Sequence, residues 1–142
     1  MVTSARQSYG DSEQIYGVPG LPFVPAIRVP AGHDLIFASG TLGLTAADGV
    51  PGDIRSETRA AIGNLKKILE SAGATLDDVI SVTKFLVDIA RDYPAVKEVV
   101  NEYLGHLPTS TTVEVTRLVP DGARIEINAV AAVPSGSGLP PG

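Results

Sequence analysis

Few side chains in this sequence could do chemistry by type and spacing alone. There is no Cys, which excludes thiolate nucleophiles, thiolate metal sites and disulfides together. The two histidines, His33 and His106, stand too far apart for zinc-ligand spacing. His33 falls in a turn (PAGHD) and His106 in a loop (LGHLPT), so each reads as an ordinary surface or turn residue rather than a general base. Asp77 and Asp78 are adjacent carboxylates, but their place between a helix and a strand makes them a helix-exit turn. Ser39 stands in ASGT, which is not the GxSxG elbow of a serine nucleophile. No GxGxxG or Walker loop offers a phosphate cradle. Generic motifs assign no reaction.

Composition narrows the partners. At 142 residues, 44% hydrophobic and 19% charged, the chain is one domain with enough apolar material for a core. The formal net charge of −5 is opposite in sign to that of most phosphate-backbone binders, so nucleic acid is not expected as a partner. No apolar run approaches the roughly 20 residues needed to span a bilayer, and the opening MVTSARQSYGDSEQ has no apolar signal-peptide region. The expectation is a cytoplasmic domain with no membrane partner and no cofactor.

The elements that must position any site can be read from periodicity. Residues 26–29 and 35–39 are short β-type runs separated by a turn. Ile54, Thr58, Ala61, Leu65, Ile68 and Ala72 recur at three- and four-residue steps, one apolar stripe of a helix. Asp53 or Ser56 caps its start, and Gly73 ends it. Residues 79–89 alternate as a strand, with Ser81, Thr83 and Phe85 on one side and Val82, Lys84 and Leu86 on the other. Pro94, in a first-turn position, opens a second helix carrying Val96, Val99, Val100 and Tyr103 on one face. Strands follow at 111–115 and 124–133. This ββαββαββ-like order predicts an α+β domain, two helices packed on one face of a mixed sheet.

The last strand sets Ile125, Ile127, Ala129 and Ala131 against Glu126, Asn128 and Val130. Its second face is therefore semi-apolar, a pattern that calls for cover by another subunit. Residues 1–20 read as an extended N-terminal arm without helical period, residues 21–133 as the domain, and 134–142 (PSGSGLPPG) as a Pro/Gly-rich tail.

Several stretches in order resemble the RidA (YjgF-type) family of reactive imine and enamine deaminases: PFVPAIRV at 22–29, HDLIFASGTLGL at 33–44, the long run at 53–89 containing NLKKILESAGATLDDV, DYPAVKEVVNEYL at 92–104, PTSTTVEVTRL at 108–118, and ARIEINAVA at 123–131. The resemblance implies a chorismate-mutase-like six-stranded mixed sheet with two helices on one face. It further implies a homotrimer whose sheets form an inner barrel, with small-molecule clefts at the subunit interfaces.

Carried over residue by residue, the resemblance gives a changed reactive set. The family's substrate-binding Arg falls on Ser110, the Glu that activates water on Asn128, the pocket Tyr on Phe23, and the helix Asn on Lys97. A frequent Gln becomes Thr41 and a frequent Cys becomes Thr112, while Ser39 and Gly40 keep the family pattern. The expected catalytic positions are thus Ser110, Asn128 and Lys97, and the expected substrate-binding ones Phe23, Ser39, Gly40, Thr41 and Thr112.

A neutral Ser110 cannot supply the bidentate fork of a guanidinium, and Asn128 cannot accept a proton from water. Lys97 could replace the missing charge. Glu114 and Glu126 read as structural residues and Arg124 as a surface one. The function implied is that of a divergent deaminase acting on an imine, enamine or related labile C–N compound. The alternative is a trimer that binds a metabolite or a partner without catalysis.

Overall fold

A computed structural model describes residues 7–46 and 49–136. The start of the expected arm and most of the expected tail lie outside the described residues. The element order is β1 (Gln7–Tyr9), α1 (Ser12–Tyr16), β2 (Ala26–Arg28), β3 (His33–Phe37), β4 (Thr41–Leu42), α2 (Ile54–Ser71), β5 (Val79–Leu86), α3 (Ile89–Tyr103), β6 (Thr109–Glu114) and β7 (Ile125–Pro134). The fold is α+β, as the order of elements predicts.

The main sheet has five strands, ordered β3-β7-β5-β6 with β4 also paired to β7. Strands β5 and β6 run parallel, and the other pairings are antiparallel. The expected sixth strand is missing from it. Strand β2 instead pairs with β1 as a separate ribbon. Pro30, which has no N–H, and Gly32, at φ +86°, turn the chain between β2 and β3 and separate the two sheets. The arm is also less extended than its composition suggests. Asp11 caps α1 by accepting hydrogen bonds from the N–H groups of Glu13 and Gln14, and Gly17 ends it in the left-handed region. At the other end, β7 runs one residue into the expected tail, and Ser135 N–H donates to Gly32 O.

Helices α2 and α3 pack on one face of the main sheet and enclose the core. Asp53 caps α2, accepting from Arg55 N–H at 3.0 Å and from Ser56 N–H. The buried stripe of α2 passes through Ala61, Ile62, Leu65 and Leu69, and Ile68 sits outside it, 38% exposed. Each fully buried Leu or Ile here contributes about 1.5–3 kcal/mol through apolar burial. Gly73, at φ +82°, follows the helix. Asp78 then accepts from Thr75 N–H at 2.8 Å, so the Asp77–Asp78 pair is part of a capped turn.

Helix α3 starts five residues before Pro94, which lies inside it on the exposed side. Its N-terminus is held by two side chains. Asp88 accepts from Arg91 N–H and Glu114 accepts from Ile89 N–H, both at 3.0 Å. Strand β5 accordingly stops at Leu86 rather than running on to 89.

A buried charged network ties the helices to β7. Glu57 accepts from the N–H groups of Arg124 and Ile125 at 2.7 and 3.0 Å. Asp92, fully buried, pairs with both Arg91 and Arg124. Arg124 is therefore not the surface residue its position suggests; the pairing with Asp92 draws it partly into the interior. Among the described residues, no helix packs on the opposite sheet face. Phe37 (74% exposed), Leu35 (48%) and Val113 (37%) stand on it beside Asn128 and Val130.

Candidate functional site

Strand parity places Val82, Lys84 and Leu86 toward the helices, so a lysine occupies a row otherwise given to core residues. Lys84 is only 6% exposed. Its register partner on β6 is Thr112, and its Nζ donates to Ser110 Oγ at 3.0 Å. Burial pushes its ammonium down from the ordinary lysine value to about 8.

The groove above this pair, between β5, β6 and α3, is a narrow cleft. Lys97, Val100, Asn101 and Leu104 of the α3 side line it, with Pro22 and Pro108 at its edges. No Asp or Glu is among the lining residues. Two ammonium groups share one small space without a carboxylate to pair with.

The loop before β6 sets where Ser110 falls. Leu107 sits at φ +57°, which no other described non-glycine residue adopts a counterpart of, and it precedes Pro108. His106 Nε2 lies 2.8 Å from Val79 O and pins this loop to the start of β5. His106 is thus a tether for the cleft wall, and His33 likewise contacts Pro30 O through Nδ1 at 3.0 Å.

A second cluster lies across the sheet. Thr41 is buried and its hydroxyl donates to Ser39 O at 2.9 Å, closing the turn that exposes Ser39 and Gly40. Glu126 packs directly on Gly40: a Cβ added there would stand 2.7 Å from Glu126 Oε2. The acidic side chain at this turn is therefore Glu126, which its alternation in β7 presents as merely structural.

Of the residues named from sequence, Ser110 and Lys97 meet in the cleft, and Thr112 stands on the same side of β6. Phe23 is set apart from the lining. Its ring stands edge-on to Tyr16 with centroids 5.9 Å apart, while its neighbour Pro22 reaches the cleft. Asn128 is exposed beside Thr83 on the helix-free face, opposite Ser110, so one chain does not bring the two together. Lys84 and Asn101 are the additions. The signal for Lys84 was present, a charged residue between Val82 and Leu86 in a core-facing row.

The family model described as Endoribonuclease L-PSP matches residues 18–133. The chain belongs to the YjgF/RidA family. It is 41% identical over 113 residues to a RutC family protein of Pyrococcus abyssi, covering 78% of this chain and 85% of that protein. It is also 38% identical over 99 residues to the 2-iminobutanoate/2-iminopropanoate deaminase of Rattus norvegicus, covering 68% and 71%. Among solved structures, a YjgF/YER057c/UK114 family member from Mycobacterium tuberculosis matches with a TM-score of 0.63 at 32% identity, covering 90% of this chain and 98% of that one. Ser110, which the sequence resemblance sets at the family's Arg position, has a buried lysine against it. No described helix is long and apolar enough to cross a membrane.

Proposed function

We propose that this chain hydrolyses a small imine or enamine that carries a carboxylate, releasing ammonia at the cleft of Lys84, Ser110 and Lys97. One observation carries the reading: in a chain of net charge −5, this cleft presents two ammonium groups and no carboxylate. Such a site favours an anionic ligand, because a carboxylate entering it pairs with charge that burial has left uncompensated. In this reading Lys97, half-exposed in the cleft lining, holds the ligand carboxylate, and Ser110 offers a hydroxyl to orient it. Imine hydrolysis needs only water and proton transfer, so the reading requires no cofactor.

Assembly covers the open face in this reading. Glu126 and the Ser39–Gly40 turn lie at the helix-free side of the sheet, whereas Lys84 and Ser110 face the helices. A homotrimer that buries Phe37 and Leu35 would cover the open face, with Glu126 and the Ser39–Gly40 turn on that covered side. Residues 21–133 form the body of each subunit, with the arm and tail outside it.

The test is an assay in which an L-amino-acid oxidase generates 2-iminobutanoate in situ and semicarbazide intercepts what remains. The protein is expected to suppress semicarbazone formation in proportion to its concentration. If semicarbazone accumulates at the same rate at every protein concentration, the proposal fails.

A further inference from the structure

Two groups could attack the imine carbon first, water or an amine of the protein, and the cleft is built around an amine. We infer that Lys84 is a nucleophile that adds to the imine or carbonyl carbon of the bound ligand and carries it as a covalent Schiff base. This deepens the deaminase reading and rests on it for the nature of the electrophile.

The geometry supports this in three ways. Lys84 lines the narrow cleft beside Ser110 and is 6% exposed, so an electrophile reaches its amine only by entering the groove, away from bulk solvent. Its recorded hydrogen-bond partner is a neutral hydroxyl, Ser110 Oγ at 3.0 Å, which can donate in turn when the amine is neutral. No carboxylate lines the cleft to hold the proton on Lys84, and desolvation is what makes a buried lysine amine available at moderate pH. Burial also brings its proton affinity down to about 8, so a large share of the amine is unprotonated in mildly basic solution.

The steps balance. The lone pair of neutral Lys84 adds to the iminium carbon, and the C=N π electrons move to the ligand nitrogen. A proton passes from the lysine nitrogen to that nitrogen, the ligand C–N bond breaks, and ammonia leaves. The ligand is now an iminium on Lys84. Water adds to its carbon, the bond to the lysine nitrogen breaks, and a keto acid departs with no net oxidation or reduction. The proton gained by the lysine passes to ammonia, which leaves as ammonium.

The reverse half-reaction gives the test. The protein is incubated at pH 8 with 2-oxobutanoate and sodium cyanoborohydride, digested, and mapped by mass spectrometry. At that pH the neutral fraction of a lysine titrating near 8 exceeds that of an ordinary one about a hundredfold, and a weaker nucleophile gives back part of this, so labelling of Lys84 about tenfold above Lys66 and Lys67 is expected. Lys84→Arg keeps the charge and should lose the label. Equal labelling of Lys84 and the surface lysines, or label concentrated on Lys97, overturns the inference. Absence of label from a protein that still suppresses semicarbazone formation overturns it while sparing the deaminase reading. Absence of both removes the two together.

Discussion

Replacing Lys84 by Met should stabilise the folded protein near pH 7, an unusual outcome for loss of a buried hydrogen bond. Methionine matches the length of the lysine stem and needs no partner. The ordinary lysine value is 10.5 and burial takes Lys84 to about 8; at about 1.4 kcal/mol per pH unit, holding its charge in the fold costs about 3 kcal/mol. The variant leaves the half-buried Ser110 hydroxyl without its lysine, which returns about 1 kcal/mol, for a net gain of about 2.

The sign with pH follows from linkage. Between about 8 and 10.5 the unfolded chain still holds the lysine proton while the folded one has released it, so wild-type stability rises with pH through that window. Urea unfolding of both proteins at one fixed protomer concentration, from pH 6 to 10.5, measures this directly. The advantage of Lys84→Met should be full below about 8 and shrink to nothing, or reverse slightly, by 10.5. A variant that is less stable than wild type at pH 7, by an amount that does not change with pH, would refute the reasoning. Lys84 would then be paired or solvated in the fold.

Three other perturbations probe the frame that holds the cleft. Asp92→Asn should cost about 3 kcal/mol by urea unfolding, because it strips Arg91 and Arg124 of a shared buried partner. Burial alone would raise the Asp92 carboxyl, but the hydrogen bonds from Arg91 and Arg124 outweigh it and hold it below the ordinary range; its stabilisation is therefore present above about pH 4 and lost on acidification below that, and the variant should lose that part of the acid dependence. Gly43→Ala drives a Cβ against the backbone carbonyl of Glu57, which cannot swing away, and should lower the melting temperature far more than Gly63→Ala, where nothing stands within 4 Å. If the proposed homotrimer forms through the helix-free face, Phe37→Asp at its most exposed phenylalanine should lower the mass seen by light scattering toward that of a monomer; an unchanged oligomer mass would place the interface elsewhere.

Much of the fold was legible because its pattern is local. Asp53 and Gly73 bound α2 by capping chemistry, and the alternation of 79–86 and 125–133 separates core from open face. The errors arise where a distant partner overrides a local signal. Pro94 suggests a helix start, but Asp88 and Glu114 begin α3 earlier. Arg124 looks exposed until Asp92, 32 residues away, is folded against it. The resemblance puts β2 in the main sheet, whereas it pairs with β1 in a separate ribbon beyond the Pro30–Gly32 turn.

The site was half legible. Ser110 and Lys97 were reached through the family motif, and their neighbours in the cleft were not. Lys84 is one residue among eight in a strand, and its significance depends on which face the helices take. Glu126 reads as structural from its alternation alone, since sequence cannot show that its side chain packs on Gly40.

Deaminase rates of wild type, Lys84→Met and Lys66→Met on oxidase-generated 2-iminobutanoate test the central claim most directly. Lys66 is an exposed α2 residue that reports on loss of a lysine anywhere in the chain. With all three folded, Lys84→Met should lose the ability to suppress semicarbazone formation while Lys66→Met retains wild-type rates. Equal rates for Lys84→Met and wild type would show that the chemistry does not need Lys84 and contradict the account.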